Sequence, residues 1–247
     1  MKCLILAAGY ATRLYPLTEN FPKPLLEVAG KSILDWLIDD MSQTGLIDEY
    51  IVISNHKFAH IFEEWAAGHD KVTIRVLDDG TTSNENRLGA VRDIQFAIEQ
   101  LQLDDDLLVM AGDNLLDFSM GEFIRYAADK KATCVMSYYV ADKARLQKSG
   151  VAELDADRRI VSMVEKPAEP KSNWCVPAFY CYTREDSHLI KKGIECGCGV
   201  DAPGSFIAWL AGQTAVYAWE MPGKRYDIGD LASYEQVKKT FSDKLGL

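Results

Sequence analysis

Short apolar runs alternate with segments of helical periodicity through the first 110 residues. The apolar runs predict strands at residues 2–6, 50–54, 72–77 and 107–110, and the helical patterns lie at about 32–44, 58–67 and 89–101. Ser32 is placed as the N-cap of the first of these helices. A repeated strand-then-helix order forms a sheet of mostly parallel strands covered by helices on both faces. The alternation therefore predicts an α/β fold with a mostly parallel central sheet.

The second half of the chain is richer in strand patterns. Strands are predicted at residues 132–140, 150–154, 160–164 and 177–182, and helices at 185–192, 205–211 and 231–242. No Ser/Gly/Pro-rich linker and no internal repeat divides the 247 residues. We therefore expect one domain over residues 1–247 with two lobes, residues 1–110 and residues 111–247.

Charge and hydropathy exclude several classes of protein. The formal net charge of −10 argues against nucleic-acid binding, which needs broad basic surfaces. No run of about 18 apolar residues is present, so no membrane-spanning segment is expected. The apolar N-terminus is interrupted at Gly9 and Arg13, before a signal-peptide core could form. The six cysteines lack zinc-site spacing and are expected to be unlinked thiols of a cytoplasmic protein.

The first candidate site directly follows the first predicted strand, in Leu6-Ala7-Ala8-Gly9-Tyr10-Ala11-Thr12-Arg13-Leu14. Small residues allow the backbone to approach a phosphate chain, and Arg13 adds donors suited to phosphate oxygens. The segment matches neither the Walker A nor the GxGxxG pattern, which argues against a P-loop and a nicotinamide-binding turn. Taken alone, an ordinary turn with a surface arginine explains it equally well.

The continuation to Leu26, which contains Phe21-Pro22-Lys23-Pro24-Leu25, distinguishes these alternatives. The whole stretch from Leu6 to Leu26 resembles the signature loop of the sugar-1-phosphate nucleotidyltransferases, a family that includes glucose-1-phosphate thymidylyltransferases. The resemblance implies a Rossmann-like fold of the nucleotide-diphospho-sugar transferase type. It also implies that Arg13 and Lys23 are catalytic residues that bind the triphosphate. The flanking prolines stiffen the backbone of Lys23.

The same resemblance assigns the rest of the nucleotide site. It implies that the nucleotide is bound by Leu6, Ala7, Ala8, Gly9 and Thr12 in the loop, by Asp113, and by Leu88 and Gly89. The last pair is a weaker match to a helix N-terminus that reads the base in the family. Arg92 stands where the family usually has a second glycine, and either a phosphate contact or a place on the helix surface would explain it.

Two acidic residues are the candidate metal ligands. Asp113 follows an apolar strand in Gly112-Asp113-Asn114, at the edge of the sheet where α/β folds bind ligands. Magnesium prefers oxygen ligands, usually one or two carboxylates with substrate phosphates. The resemblance implies that Asp113 binds Mg²⁺ and that Asp227, in a D-x-G pattern, is the second protein ligand. The family usually has Trp where this chain has Arg225, and Asp230 is expected to cap the last helix.

The acceptor site is expected at Glu165-Lys166-Pro167. The resemblance implies that Lys166 binds the acceptor phosphate and that Glu165 accepts hydrogen bonds from sugar hydroxyls. It assigns residues 1–110 to the nucleotide and residues 111–247 to the acceptor. The chain ends soon after its last predicted helix, so the C-terminal β-helix domain of some relatives is not expected.

The expected activity is a Mg²⁺-dependent step in nucleotide sugar biosynthesis. A nucleoside monophosphate would pass from a nucleoside triphosphate, with UTP or dTTP favoured, to a sugar 1-phosphate, with release of pyrophosphate. One alternative is a CTP-dependent cytidylyltransferase acting on phosphocholine or a similar small phosphorylated acceptor, and another is an inactive nucleotide or sugar-phosphate sensor. The partners are a nucleoside triphosphate and a phosphorylated small molecule, without nucleic acid or membrane. The sequence also allows a homo-oligomer.

Overall fold

The structure is a computed structural model that describes residues 1–245. Its strands are β1 (Lys2–Leu6), β2 (Glu27–Val28), β3 (Lys31–Ser32), β4 (Glu49–Ser54), β5 (Ile74–Asp78), β6 (Leu107–Ala111), β7 (Asn114–Leu116), β8 (Thr133–Tyr139), β9 (Gly150–Leu154), β10 (Ile160–Glu165), β11 (Trp174–Val176), β12 (Phe179–Tyr182), β13 (Val216–Glu220) and β14 (Arg225–Asp227). Its α-helices are α1 (Ile33–Ser42), α2 (Ala59–Ala66), α3 (Ala90–Leu101), α4 (Gly121–Lys130), α5 (Lys143–Leu146), α6 (Arg184–Ser187), α7 (Ile190–Glu195), α8 (Gly204–Leu210) and α9 (Leu231–Leu245).

The chain forms two compact units, and each is assembled from three segments. Unit 1 comprises Met1–Leu4, Leu88–Met110 and Glu122–Pro222. Unit 2 comprises Ile5–Arg87, Ala111–Gly121 and Gly223–Leu247. Both units therefore contain residues from each half of the sequence.

Unit 1 contains most of the mixed sheet. Its strands follow the order β10-β9-β11-β8-β12-β6, and β13 lies beside β8. The β13–β8 pair is parallel, whereas β12 pairs antiparallel with both β6 and β8. All four residues of β12 are buried, as expected for a central strand with both faces covered. Helix α8 packs on β10, and α7 packs on both α3 and α8.

Unit 2 contains the parallel pair β4–β5 and two short antiparallel ribbons, β2–β3 and β7–β14. Every residue of β4 is buried, and α2 packs on β5. Helix α1 begins with a capping box, because the Ser32 side chain accepts from the Asp35 amide while the Asp35 carboxylate accepts from the Ser32 amide. The apolar face of α1 is buried at Ile33, Leu34, Leu37, Ile38 and Met41.

The predicted mixed sheet with flanking helices is confirmed, and several elements have the predicted bounds. Strands β1 and β9 match residue for residue, and Ser32 is the N-cap of α1. The single helix predicted at 185–192 is wrong. It is two short helices, α6 and α7, because the chain turns after Ser187 and the amide of Leu189 donates to the carbonyl of Asp186. Within residues 1–245, no helix combines the length and the apolar composition needed to cross a bilayer.

Candidate active site

The loop after β1 is fixed by hydrogen bonds with the end of β4 and the residue that follows it, both in unit 2. The Ala7 amide donates to the Ile53 carbonyl over 2.9 Å, and the Asn55 side-chain amide donates to the Ala8 carbonyl over 3.0 Å. Ala7 and Ala8 are buried, whereas Gly9 is exposed and has no atom within 4 Å of the position a Cβ would take. The loop is therefore anchored on one side and open at its glycine on the other.

A cavity of about 180 Å³ lies beside this loop, wholly within unit 2. It is lined by both small residues and charged side chains. The lining residues are Leu6, Ala7, Gly9, Ala11, Arg13, Leu14, Lys23, Pro24, Ala111, Asp113 and Gly229. The structure thus brings five of the expected site residues (Leu6, Ala7, Gly9, Arg13, Lys23) to the same cavity as Asp113. Two cationic side chains and one carboxylate at a small cavity suit an anionic ligand.

The two cationic side chains differ in exposure. Arg13 is exposed on a 3₁₀ turn, Thr12–Leu14, whereas the Lys23 side chain is only 10% exposed. Lys23 starts a second 3₁₀ turn, Lys23–Leu25, whose first residues include Pro24. The Lys23 ammonium donates to Asp113 Oδ2 over 2.7 Å. A buried lysine is held by a partner because its charge is costly to remove from water, and Asp113 is that partner here.

Gly112 explains why Asp113 can occupy this position. A Cβ at residue 112 would lie 3.0 Å from Ile5 Cγ2 and 3.3 Å from Leu34 Cδ2, both side chains of the unit 2 core. The amide of Gly112 also donates to the carbonyl of Leu6 over 3.1 Å. A side chain here would push these neighbours back by a few tenths of an ångström, so glycine lets the end of β6 pass close to β1, and the next residue reaches the cavity.

Asp227 meets the same region through strand pairing. In the β7–β14 ribbon, Asp227 is the register partner of Asn114, the residue directly after Asp113. Asn114 is 3% exposed, and its side-chain amide donates to Asp113 Oδ1 over 2.7 Å. Arg225 in turn donates to Asn114 Oδ1 and lies 3.5 Å from Asp227 Oδ2. Folding thus places Asp227 on β14 opposite Asn114, while Asp113 lies in the turn just before β7, and hydrogen bonds through Asn114 and Arg225 connect the two acidic residues.

Sequence reasoning did not single out Asn114 as a site residue. Its signal was its position directly after Gly112-Asp113, at the end of an apolar strand, where a polar side chain becomes buried. A buried amide must satisfy its donors and its acceptor, so it can act as a bridge between charged neighbours.

Asp230 caps the last helix, as predicted. Its carboxylate accepts from the Ser233 amide over 2.8 Å, and its carbonyl accepts from the Tyr234 amide. The hydrogen bonds from Ser233 hold the pKa of Asp230 below its usual value. Asp227 and Asp230 are both exposed, but the Asp230 carboxylate is already engaged as the helix cap. Asp227 is therefore better placed than Asp230 to bind an added cation.

Glu165 and Lys166 lie at the end of β10 in unit 1. Glu165 is half-buried, and burial raises the pKa of its carboxyl group although the charge of Lys166 lowers it. A Cβ at Gly204 would lie 2.3 Å from Glu165 Oε2, and one at Gly150 would lie 2.9 Å from it. Two glycines therefore provide the space for this carboxylate. Lys166 is exposed, has a left-handed backbone with φ of 50°, and its amide donates to Ser149.

Leu88 and Gly89 lead into α3 in unit 1. Gly89 has φ of 90°, and a Cβ there would lie 2.7 Å from the Val200 carbonyl oxygen, so both conformation and space require glycine. The amides of Ala90 and Val91 donate to the carbonyls of Asp201 and Val200. The first two amides of α3 are thus already paired. Arg92 is exposed on this helix, which is compatible with both alternatives for its role.

The described residues contain no cluster of three or more His, Cys, Asp or Glu side chains that could hold a metal ion. An ion bound at Asp113 and Asp227 would complete its coordination with oxygens from substrate or water. This is the coordination that Mg²⁺ usually has in sites that bind nucleotide phosphates.

Comparison with protein families and curated proteins gives consistent matches. A family model described as nucleotidyl transferase matches residues 2–244. A bifunctional protein GlmU of Methanocaldococcus jannaschii is 32% identical over 247 residues, with 99% of this chain and 55% of the relative covered. A UTP–glucose-1-phosphate uridylyltransferase of Haloferax volcanii is 28% identical over 183 residues, covering 74% and 72%. A glucose-1-phosphate thymidylyltransferase of Streptomyces antibioticus is 30% identical, covering 74% and 49%. The chain thus spans between about half and three quarters of the length of these curated relatives.

Solved structures show the same fold. An apo UDP-glucose pyrophosphorylase superposes with a TM-score of 0.81 at 20% identity, covering 98% of both chains. A UDP-glucose pyrophosphorylase of Acinetobacter baumannii has a TM-score of 0.81 at 18% identity, covering 98% of this chain and 93% of the other.

Proposed function

The chain belongs to the nucleotidyl transferase family, and we propose that it transfers a nucleoside monophosphate from UTP or dTTP to a sugar 1-phosphate and releases pyrophosphate. The observation that carries this proposal is the cavity after β1, where Arg13 and the Lys23–Asp113 ion pair converge beside Gly9. This arrangement can bind a chain of phosphates and hold a divalent ion next to it.

The acceptor is proposed from the names of the relatives. Uridylyl-, thymidylyl- and adenylyltransferases among them are each named for glucose 1-phosphate, and another is named a mannose-1-phosphate guanyltransferase. A phosphorylated sugar is the part these names share, which supports a sugar 1-phosphate over phosphocholine. The base differs among the same relatives, so an assay must distinguish UTP from dTTP as the donor.

The triphosphate is bound by the loop after β1 and by the cationic side chains of Arg13 and Lys23. The exposed Gly9 and the backbone of the loop, from Leu6 to Thr12, approach the phosphates, and Arg13 contributes a planar fork of donors. Lys23 neutralises charge from its buried position. Leu88 and Gly89 bind the base through main-chain groups that α3 does not already use.

Asp113 and Asp227 would hold Mg²⁺. The donors fit this ion because both residues offer carboxylate oxygens and Asp227 pairs with the residue that directly follows Asp113, while substrate phosphates would supply the remaining ligands. When bound, the ion neutralises phosphate charge and orients the triphosphate. The Lys23–Asp113 pair keeps the Asp113 carboxylate compensated before substrate enters.

The reaction is a direct displacement at the α-phosphorus. An oxygen of the acceptor phosphate forms the new P–O bond as the bond between the α-phosphorus and the α,β-bridging oxygen breaks, and that electron pair leaves with pyrophosphate. The acceptor oxygen is already anionic near neutral pH, so no general base is required. Because the barrier is largely repulsion between anions, positioning and charge neutralisation supply the rate. Lys166 binds the acceptor phosphate, and Glu165 accepts hydrogen bonds from sugar hydroxyls.

The test is pyrophosphate release by the purified chain with Mg²⁺. Each of UTP, dTTP, CTP, ATP and GTP is paired with glucose 1-phosphate, mannose 1-phosphate, N-acetylglucosamine 1-phosphate and phosphocholine. Release with UTP or dTTP and a sugar 1-phosphate supports the proposal. Release only with CTP and phosphocholine would favour the cytidylyltransferase alternative. Nucleotide binding without release from any pair would favour a sensor.

The enzyme is also proposed to work in the cytoplasm. All six cysteines are unlinked, and four of them are buried. Reduced thiols are the usual state of cysteine in that compartment.

A further inference from the structure

Arg225 lies where the sequence departs from the family pattern, and its surroundings give it a definite role. It is the first residue of β14, and its register partner is Leu116 of β7. The pairing carries its side chain toward Asn114, and that side chain is only 17% exposed. Its Nη1 donates to Asn114 Oδ1 and lies 3.5 Å from Asp227 Oδ2.

Asn114 connects this guanidinium to the candidate metal ligand. Its Oδ1 accepts from Arg225, so its Nδ2 is directed to Asp113 Oδ1, 2.7 Å away. The other oxygen of Asp113 accepts from Lys23 over 2.7 Å. The Asp113 carboxylate is thus held at both oxygens, and its orientation depends on which end of the Asn114 amide faces it.

We propose that Arg225 is a positioning residue that orients the Asp113 carboxylate through the Asn114 amide. This inference rests on the proposed function, in which Asp113 binds the ion. An arginine suits the role because the positive guanidinium attracts the oxygen of the Asn114 side-chain amide. The NH₂ group of that amide then faces Asp113. Groups that hydrogen-bond to metal ligands set the orientation of those ligands, and losing one typically lowers metal affinity or activity about 10–100-fold.

A purely electrostatic role at Asp227 is the competing explanation, and the geometry disfavours it. The Arg225–Asp227 separation is 3.5 Å, and the Asp227 side chain is 53% exposed, so water weakens that ion pair. Asn114, by contrast, is buried and hydrogen-bonded to both Arg225 and Asp113. The two explanations also predict opposite changes in Mg²⁺ affinity when Arg225 is replaced. If its role were electrostatic, removing a positive charge beside Asp227 would strengthen the binding of a divalent ion.

The test is a double-mutant cycle with Arg225→Met, Asn114→Leu and the combined variant. Each single change should lower kcat and raise the Mg²⁺ concentration for half-maximal rate, with a loss of about 10–100-fold. Because both residues act through one link, the double variant should lose little more than the worse single variant. Arg225→Lys should recover part of the loss, since it keeps a charged donor. Arg125→Met, at an exposed position on α4, is the matched control and should match wild type.

A second readout does not depend on activity. The Asn114 side-chain amide protons are followed by nuclear magnetic resonance and assigned by their disappearance in Asn114→Leu. They should exchange slowly with water in the wild type and faster in Arg225→Met, with Arg225→Lys between them. Independent losses in the cycle, tighter ion activation in Arg225→Met, or unchanged Asn114 protons would each overturn the proposal. If no substrate pair releases pyrophosphate, the proposed function fails. The resonance experiment still shows whether Arg225 orients the Asn114 amide.

Discussion

Replacing Lys23 with Met separates the catalytic from the structural role of the buried ion pair. Met has a similar length and volume but carries no charge, so the change removes the bond to Asp113 without opening a cavity. A hydrogen bond to a charged group contributes about 1.5–3 kcal/mol to the free energy of unfolding. The Asp113 side chain is 35% exposed, so water can replace the lost donor and the lower end of that range applies.

The expected loss of about 1–2 kcal/mol corresponds to a fall in melting temperature of roughly 2–8 °C for a chain of this length. The expected loss of activity is much larger. Removing one group that stabilises charge in the transition state typically costs about 10²–10³ in rate, roughly 3–4 kcal/mol. Lys23→Met should therefore remain folded and be nearly inactive.

The assay combines thermal unfolding with pyrophosphate release at saturating Mg²⁺. Lys31→Met is the matched control, because Lys31 also forms an ion pair, 2.6 Å from Asp39, but both side chains are about half-exposed. Such a pair contributes about 0–1 kcal/mol, and activity should be unchanged. If Lys23→Met kept the wild-type rate, or lost no more activity than Lys31→Met, the role assigned to Lys23 would be refuted.

Three further substitutions test other parts of the site. Gly89→Ala should lower the melting temperature, because a left-handed backbone costs about 1–3 kcal/mol for a residue with a side chain and the added Cβ would lie 2.7 Å from the Val200 carbonyl. Gly9→Ala should leave the melting temperature unchanged but raise the KM for the triphosphate, since its methyl group enters the cavity without touching protein atoms; equal melting temperatures for both variants would contradict this. Glu165→Gln should be more stable than wild type at neutral pH and equally stable at low pH. Burial raises the pKa of Glu165, so the stability that this residue contributes is complete below the pKa of the unfolded chain, near 4.5, and is lost as pH rises through the folded pKa. A stability difference between Glu165→Gln and wild type that does not change with pH would argue against this. The same variant should also have a higher KM for the acceptor.

Local signals predicted much of the fold. Strand β1 and the start of α1 were found because a compact apolar run and a capping serine are encoded by adjacent residues. Helix α4 was missed although Phe123, Ile124 and Ala127 are buried at helical spacing. Strand β13 was also missed although Val216 and its aromatic neighbours suit a strand.

The β7–β14 ribbon could not have been predicted from local pattern. Each strand has three residues, too few for a detectable period, and the two lie more than 100 positions apart in the sequence. The partnership of Lys23 with Asp113 and the bridge through Asn114 depend on the same long-range folding. Motif resemblance proposed residues of the site, but their contacts come from the structure alone.

The account depends most on Asp113 and Asp227 acting together on one divalent ion. The direct measurement is Mg²⁺-dependent pyrophosphate release from UTP or dTTP with glucose 1-phosphate by wild type, Asp113→Asn and Asp227→Asn, with melting temperatures recorded in parallel. Each variant should remain folded and lose at least about 10²–10³ in rate. Near-normal rates in both folded variants would contradict the metal assignment.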